Sequence, residues 1–243
     1  MARPVLMYHS VAPGPGPADR AYNISPSRFW QTVDLLRRLG LAASVELDIA
    51  PKARTAVITF DDGYEDLYTE VFPRFQAMGL KAVVFVVADR LGRPMDWNPA
   101  IRKMLMTVAQ MQEMHAHGFR FGSHTLSHCD LAAATPSVLR EEIRGSKARL
   151  EDILGAPVTL FSYPWGRVNA QVRDAVAEAG FIAACTTESR LNRGGDDPLL
   201  IPRLTVSDMD TAVGLAVKLF TGRDPAHITP SRAWRWMKRR AVS

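Results

Sequence analysis

The sequence predicts a parallel (β/α) barrel. Strand-like apolar segments alternate with segments of helical periodicity, which is typical of a parallel sheet covered by helices. No Gly-x-Gly-x-x-Gly turn follows the first predicted strand, which argues against a doubly wound sheet, the alternative that gives a similar string. Polar, reactive residues also recur where predicted strands end, at His9, Asp61-Asp62, His124 and Arg203. Active sites of (β/α) barrels collect at those carboxyl ends.

The first half of the chain supplies three predicted strands. Residues 4–8 are an apolar run, and a loop rich in proline and glycine follows at 12–18. A helix then begins at the Ser-Pro-Ser of residues 25–27, carries apolar residues at helical spacing and ends at Gly40. The strands at 56–60 and 82–87 are apolar and β-branched, as in a sheet buried on both faces, and a helix at 66–78 separates them.

The second half continues the alternation. A helix from about Thr107 ends at Gly118, and a short strand follows at 119–123. Thr135-Pro136 begins a helix that runs to Leu154 with its apolar residues on one face. The remaining predicted strands are at 158–162, 181–185 and 201–206, with helices at 169–179 and from about Ser207.

Length and composition indicate one soluble globular domain. The chain has 243 residues, of which 47% are hydrophobic and 23% charged. We expect a single barrel domain at residues 1–230 and a basic, Trp-containing tail at 231–243. The apolar run before His9 is too short for a signal peptide, and the two cysteines fit reduced thiols. The sequence therefore predicts a cytoplasmic protein.

The net charge of +5 comes from the tail. Without the five basic residues of the tail, 25 basic residues face 25 acidic ones, so a general nucleic-acid-binding surface is not predicted. Indoles stand beside cations in the tail, at Trp234, Arg235 and Trp236. This pattern suits weak contact with an anionic membrane surface, so a location at the inner face of the membrane is an alternative to a freely solvated end.

Two adjacent carboxylates, Asp61 and Asp62, follow the strand at 56–60 and precede Gly63. Like charges at the end of a buried strand are costly unless a cation or a shared proton compensates them. A helix cap is the alternative, because Asp-Asp-Gly before two further acids is typical of a helix start. This stretch alone leaves both interpretations open.

A second motif places His124 and His128 four residues apart. Both imidazoles can then face one point, and with one carboxylate they would form a two-His, one-carboxylate metal site with open positions. Zinc accepts such ligands and lowers the pKa of bound water, while the other Asp stays free to act as a base. A chance pair on a surface helix is the alternative for the histidines alone.

Together these motifs resemble those of the NodB-homology polysaccharide deacetylases, carbohydrate esterase family four. Phe161-Ser162-Tyr163-Pro164-Trp165-Gly166 is similar to the third motif of that family, and residues 6–11 and 201–203 are similar to segments of many members. The resemblance covers about residues 4–206 in the same order. It implies a distorted (β/α) barrel of about seven parallel strands and a metal-dependent hydrolase that removes acetyl groups from sugars, acting on C–N bonds other than peptide bonds.

The resemblance also implies roles for individual residues. Asp61 would be the catalytic base, and the backbone N–H of Trp165 would hold the oxyanion. The metal ligands would be Asp62, His124 and His128, and the cation would be Zn²⁺, with Co²⁺, Mn²⁺ and Ni²⁺ as alternatives. The expected substrate contacts are Tyr64, Tyr163, Pro164 and Trp165.

The chain departs from the family pattern at three places. Ser162 stands where the third motif usually has Arg, and no clear match to the Asp-Trp and Leu-x-His motifs follows residue 166. His9 is therefore our candidate for the general acid. Arg203 is the candidate for the charge that keeps Asp61 ionised, with a structural ion pair as its alternative.

The expected substrate is an N-acetylated sugar in a glycan or glycan precursor, and we expect no nucleic-acid partner. Two other hypotheses stay open. One is hydrolysis of a different small amide, and the other is a catalytically weakened barrel that only binds glycan.

Overall fold

A computed structural model describes residues 3–14, 22–47 and 54–223. Its strands are β1 (Val5–Tyr8), β2 (Ser10–Val11), β3 (Asn23–Ile24), β4 (Ala42–Ser44), β5 (Thr55–Phe60), β6 (Val83–Val86), β7 (Arg120–Ser123), β8 (Leu160–Ser162), β9 (Ala183–Cys185) and β10 (Leu204–Thr205). Seven of them follow one curled path in the order β10-β1-β5-β6-β7-β8-β9, with every pair parallel. The predicted distorted barrel of about seven parallel strands is confirmed.

The distortion lies where the ends of this path meet. The N–H of Ile201 donates to the carbonyl of Ala184 at 2.8 Å, which ties the segment before β10 to β9. Three residues later, Leu204 pairs with Leu6 of β1. One short segment therefore spans the gap between β9 and β1. A two-stranded sheet of β2 and β3 lies beside the barrel, and β4 pairs with the start of β5.

Helices cover the outside of the sheet. They are α1 (Pro26–Arg38), α2 (Phe72–Ala77), α3 (Val108–Ala116), α4 (Pro136–Arg140), α5 (Ser146–Leu154), α6 (Ala170–Glu178) and α7 (Ala212–Thr221). A π-helical turn, Leu67–Val71, leads into α2, and a second, Glu141–Gly145, joins α4 to α5. No helix in the described part of the chain combines the length and the hydropathy needed to cross a membrane.

Alternate residues of each strand face opposite sides of the sheet, and this alternation directs the site residues. Ile58 and Phe60 of β5 pack in the cluster under the helices, whereas Val57 belongs to a second cluster with Phe85 and Ile201. By the same period of two, Thr59 and Asp61 face the side of Val57, which is the barrel interior. The sequence thus delivers a carboxylate to the inner end of a buried strand.

One difference from the sequence-based prediction concerns the last helix. The last helix begins at Ala212 after the cap Thr211, not near Ser207, because the carboxylate of Asp208 accepts hydrogen bonds from the N–H and the hydroxyl of Ser25, both at 2.8 Å. The predicted tail at 231–243 lies outside the described residues, so the membrane contact expected there stays a prediction.

Candidate metal centre

Three buried side chains converge at the carboxyl end of the barrel. Asp62 follows β5, while His124 and His128 lie on the loop after β7. Nε2 of each imidazole lies 3.4 Å from Oδ1 of Asp62, and the three candidate ligand atoms lie within 4.8 Å of one another. Because the carboxyl ends of parallel strands meet at one end of a barrel, the three predicted metal ligands come together although Asp62 and His128 are 66 positions apart in the sequence.

The chemistry of this donor set fits a divalent cation. Oδ1 of Asp62 is buried and has no hydrogen-bond partner among the described residues. Nδ1 of His124 donates to the carbonyl of Ser162 at 2.7 Å, which leaves the lone pair of Nε2 for a metal. Two imidazole nitrogens and a carboxylate oxygen with open positions are a set that zinc accepts.

The protonation states of these groups also suit a metal. Burial would raise the pKa of Asp62, but the adjacent imidazoles, His128 above all, hold it below its usual range. Burial lowers the pKa of His124 to about 4, although the nearby carboxylates of Asp61 and Asp62 raise it in part. A carboxylate and a neutral imidazole are therefore present at neutral pH, and these are the forms that bind metal.

Backbone strain is concentrated here. Asp62, Thr125, His128 and Trp165 have φ of 71°, 69°, 64° and 54°, in the left-handed region that side chains other than glycine rarely adopt. In the described part of the chain, only Arg54 is a further such residue. Strained residues persist where the surrounding structure holds them and cluster at functional sites.

Asp61 is tied to Arg203 at the bottom of the site. Nη1 and Nη2 of Arg203 donate to the two carboxylate oxygens of Asp61, each at 2.6 Å. Ser162 donates its hydroxyl to the same carboxylate at 3.2 Å and accepts from Nη2 of Arg203 at 2.9 Å. Burial would raise the pKa of Asp61, but the charge and hydrogen bonds of Arg203 outweigh it and hold the pKa below its usual range.

A cavity of about 280 Å³ opens above these carboxylates. Its lining residues are Met7, His9, Tyr22, Asp61, Asp62, Tyr64, Met95, Trp97, Asn98, Ile101, His124, His128, Trp165, Thr187 and Thr205. Two indoles enclose His128: Trp97 stacks on its ring at 4.4 Å between centroids, and Trp165 meets it edge-on at 4.3 Å. The cavity therefore joins charged groups at its base to an aromatic wall.

Three further predicted site residues line this cavity. His9 packs edge-on against the ring of Tyr22 with 5.3 Å between centroids. Trp165 is 42% exposed, and within the described residues its backbone N–H donates to no backbone carbonyl. The hydroxyl of Tyr64 donates to the sulfur of Met95 at 3.2 Å.

The side chain of Tyr163 lies elsewhere. It is fully buried, and its hydroxyl donates to the carbonyl of Leu199 at 2.9 Å. Pro164 is buried as well, and neither residue lines the cavity. Both residues pack under the turn that carries Trp165. The predicted substrate contact by Tyr163 and Pro164 stays a prediction.

The sequence-based reasoning missed much of the cavity wall. Met95, Asn98 and Ile101 lie in a loop without periodicity, and Thr187 follows β9 in a polar segment. Trp97 both lines the cavity and packs on the ring of His128. The one available signal was the cluster of aromatic and amide residues at 97–98, between predicted elements.

Comparisons with known proteins agree with this geometry. A family model described as "Polysaccharide deacetylase" matches residues 48–184. The "Putative polysaccharide deacetylase YxkH" of Bacillus subtilis is 31% identical over 193 residues, covering 76% of this chain and 64% of that protein. The poly-beta-1,6-N-acetyl-D-glucosamine N-deacetylase of Escherichia coli K12 is 26% identical over 202 residues, covering 69% of this chain and 30% of that protein.

A solved structure is similar over most of the chain. The polysaccharide deacetylase of Bacillus cereus has a TM-score of 0.78 and 25% identity, and the match covers 90% of this chain and 69% of that one. The chain thus spans less than two thirds of the length of each of these two curated relatives. The structural match covers the larger part of the Bacillus cereus structure.

Proposed function

Since this chain belongs to the polysaccharide deacetylase family, we propose that it removes the acetyl group from an N-acetylated sugar of a glycan or glycan precursor. The observation that carries this proposal is the pairing of two carboxylates with different surroundings. Asp62 faces two imidazoles with a free oxygen, whereas Asp61 is bound to a guanidinium. One is suited to hold a cation and the other to take a proton.

The proposed cofactor is a divalent cation held by Asp62, His124 and His128, with Zn²⁺ first and Co²⁺, Mn²⁺ and Ni²⁺ as alternatives. When bound, such a cation polarises the acetyl carbonyl and lowers the pKa of a water molecule toward neutrality. Nδ1 of His124 is fixed by the Ser162 carbonyl, so the orientation of this imidazole is set before a metal arrives.

The remaining steps fall to residues of the chain. Asp61 takes the proton of the attacking water, and Arg203 keeps that carboxylate ionised beforehand. Trp165 lines the cavity, and its backbone N–H is the proposed donor to the oxyanion of the tetrahedral intermediate. His9 lines the same cavity and is the proposed general acid for the leaving amine.

The substrate class is proposed from the cavity and the relatives. Trp165, exposed at the cavity rim, offers an aromatic face of the kind that packs on sugar rings. The name of the E. coli relative specifies an N-acetylglucosamine polymer. We propose a cytoplasmic location because both cysteines in the described chain are unpaired, as in a reducing compartment.

The test is acetate release from N-acetylglucosamine oligomers by the purified protein. We expect release by the Zn²⁺-loaded protein, loss after treatment with a chelator, and recovery when Zn²⁺ is restored. Metal content is measured in the same samples. Binding of the oligomers with neither metal nor acetate release would instead favour a glycan-binding barrel, and release of acetate from other amides alone would favour the small-amide hydrolase.

A further inference from the structure

A buried carboxylate outside the cavity holds the loop that carries both histidines. Oε2 of Glu142 accepts hydrogen bonds from the N–H of Leu126 at 2.9 Å and of Ser127 at 3.0 Å. Oε1 accepts from the hydroxyl of Ser127 at 2.5 Å. Leu126 and Ser127 are two of the three residues between the two imidazoles, so all three bonds act on the short span that sets their separation.

We propose that Glu142 is a positioning residue for the metal site and sets its affinity for a divalent cation. It touches neither cation nor substrate, and acts by fixing the backbone between His124 and His128. This inference rests on the proposed function because it presumes that the two imidazoles bind a metal.

The loop needs such a support because its conformation is strained. Thr125 and His128 both lie in the left-handed region, with φ of 69° and 64°. Local bonds stabilise the turn, since the N–H of His128 donates to the hydroxyl of Thr125 at 2.9 Å. These bonds close the turn on itself but do not attach it to the barrel.

The attachment comes from two sides. On one side, the carbonyls of Thr125 and Leu126 accept the N–H groups of Ala88 and Asp89, each at 3.0 Å, from the turn after β6. On the other side, Glu142 is the acceptor for the loop N–H groups. Leu126 is thus held through its carbonyl by the barrel and through its N–H by Glu142.

The π-helical turn Glu141–Gly145 places Glu142 for this contact. At Gly145 a methyl group would lie 2.9 Å from a methyl carbon of Leu126, so the absence of a side chain there lets the loop pack against the turn. Turns of this type are often found at functional sites. The wider π-helical turn therefore places the carboxylate of Glu142 and the backbone of Gly145 against the loop that carries the two histidines.

The experiment compares metal affinity among variants at this contact. Zn²⁺ dissociation constants are measured by competition with a chromogenic chelator, and the visible spectrum of the Co²⁺-loaded protein reports ligand geometry. Thermal unfolding of the metal-free protein is followed in parallel, which separates loss of metal binding from loss of the fold. Glu141→Ala, which removes the exposed neighbouring carboxylate in the same turn, is the matched control.

Glu142→Ala is expected to weaken Zn²⁺ binding by roughly ten- to a hundredfold, the usual effect of losing a group that orients a ligand. Ser127→Ala removes one of the three bonds and is expected to cause a smaller loss of Zn²⁺ affinity. Because it deletes a single hydroxyl group, it should leave the fold intact. Glu142→Gln can still accept from both N–H groups with its amide oxygen and donate to the Ser127 hydroxyl, so it is expected to retain most of the affinity.

Wild-type affinity in both Glu142→Ala and Ser127→Ala would overturn the inference, as would an equal loss in Glu141→Ala. A Glu142→Gln variant as weak as Glu142→Ala would also contradict it, because the bonds and not the charge are held responsible. If the wild-type protein itself bound no Zn²⁺, the proposed function would fail, a result distinct from equal binding by wild type and variants.

Discussion

At the scale of single residues, Arg203 compensates the buried negative charge of Asp61. Both side chains are buried in the barrel, and the pair is bidentate with additional bonds from Arg203 to Thr59 and to the carbonyl of Thr186. The guanidinium also lies over the ring of Phe85, with 5.6 Å to its centroid. A pair so enclosed keeps Asp61 ionised in a place where burial alone would protonate it.

Arg203→Met is therefore expected to raise the pKa of Asp61 and to destabilise the protein. The acidic limb of kcat/KM should move to higher pH, because the proposed base becomes protonated earlier. Removing one partner of a buried ion pair costs about 3–5 kcal/mol. pH–rate profiles and urea unfolding of the metal-free protein measure the two effects.

The sign of the pH dependence follows from the lowered pKa of Asp61. The pairing stabilises the folded protein above the unfolded-state pKa of about 3.9, and this contribution is lost as pH falls through the folded-state pKa. The difference in the free energy of unfolding between wild type and Arg203→Met should therefore be largest near neutral pH and should become smaller as the pH falls. Arg203→Lys should give an intermediate acidic limb of kcat/KM and an intermediate free energy of unfolding. If Arg203→Met left the acidic limb unchanged and lowered the free energy of unfolding equally at every pH, Arg203 would have only a structural role.

The candidate site residues were predictable from the sequence, but most of the contacts around them were not. Asp61, Asp62, His124 and His128 were predictable because their types and spacing carry the chemistry. Arg203 was predictable only as a replacement for the charge absent at Ser162. The contact of Glu142 was not predictable, because an acid between Arg140 and Arg144 has the pattern of a solvated helix face.

At the scale of elements, the turn Pro164–Gly166 determines where Trp165 lies. Trp165 and Gly166 both have positive φ, 54° and 68°, and the N–H of Gly166 donates to the carbonyl of Tyr163 at 2.8 Å. A methyl group on Gly166 would lie 2.0 Å from the hydroxyl oxygen of Thr187. The turn therefore has room only for glycine at its last position.

Gly166→Ala is expected to displace the turn and to lower kcat/KM for acetate release, with metal content unchanged because no metal ligand lies in the turn. Gly155→Ala is the matched control. Gly155 has a similar φ of 62° at the end of α5, but a methyl group there would meet nothing within 4 Å. Thermal unfolding should show the cost of backbone strain, about 1–3 kcal/mol, in both variants, while activity should fall in Gly166→Ala alone. Equal activity in the two variants would show that the position of the turn does not matter.

Regular elements followed from the sequence where burial on both sides leaves a continuous apolar run. β5 and β6 appear within one residue of the predicted bounds for that reason. β2 and β3 have two residues each, too few for any period to be visible. The two π-helical turns were also missed, since their sequences have ordinary helical periodicity and their widening depends on tertiary contacts.

At the scale of the whole molecule, the barrel brings together residues that are far apart in the chain. His9 follows the first strand and Arg203 precedes the last, yet β1 and β10 are neighbours in the sheet. The parallel arrangement was predictable from the alternation of strands and helices. The closing segment lies in the strand predicted at 201–206, but its two-sided pairing was not predictable, because it contacts β9 through an isolated bridge and β1 through only two residues.

The proposed function assigns different roles to Asp61 and Asp62 in one metal-dependent hydrolysis. The most direct measurement is the Zn²⁺ content and the kcat for acetate release of Asp61→Asn beside Asp62→Asn, with folding checked by thermal unfolding. We expect Asp61→Asn to bind Zn²⁺ as wild type does while kcat falls by about 10²–10⁴-fold, the range for loss of a general base. Asp62→Asn should lose both metal and activity. Wild-type turnover by metal-loaded Asp61→Asn, or undiminished Zn²⁺ binding by Asp62→Asn, would contradict the account.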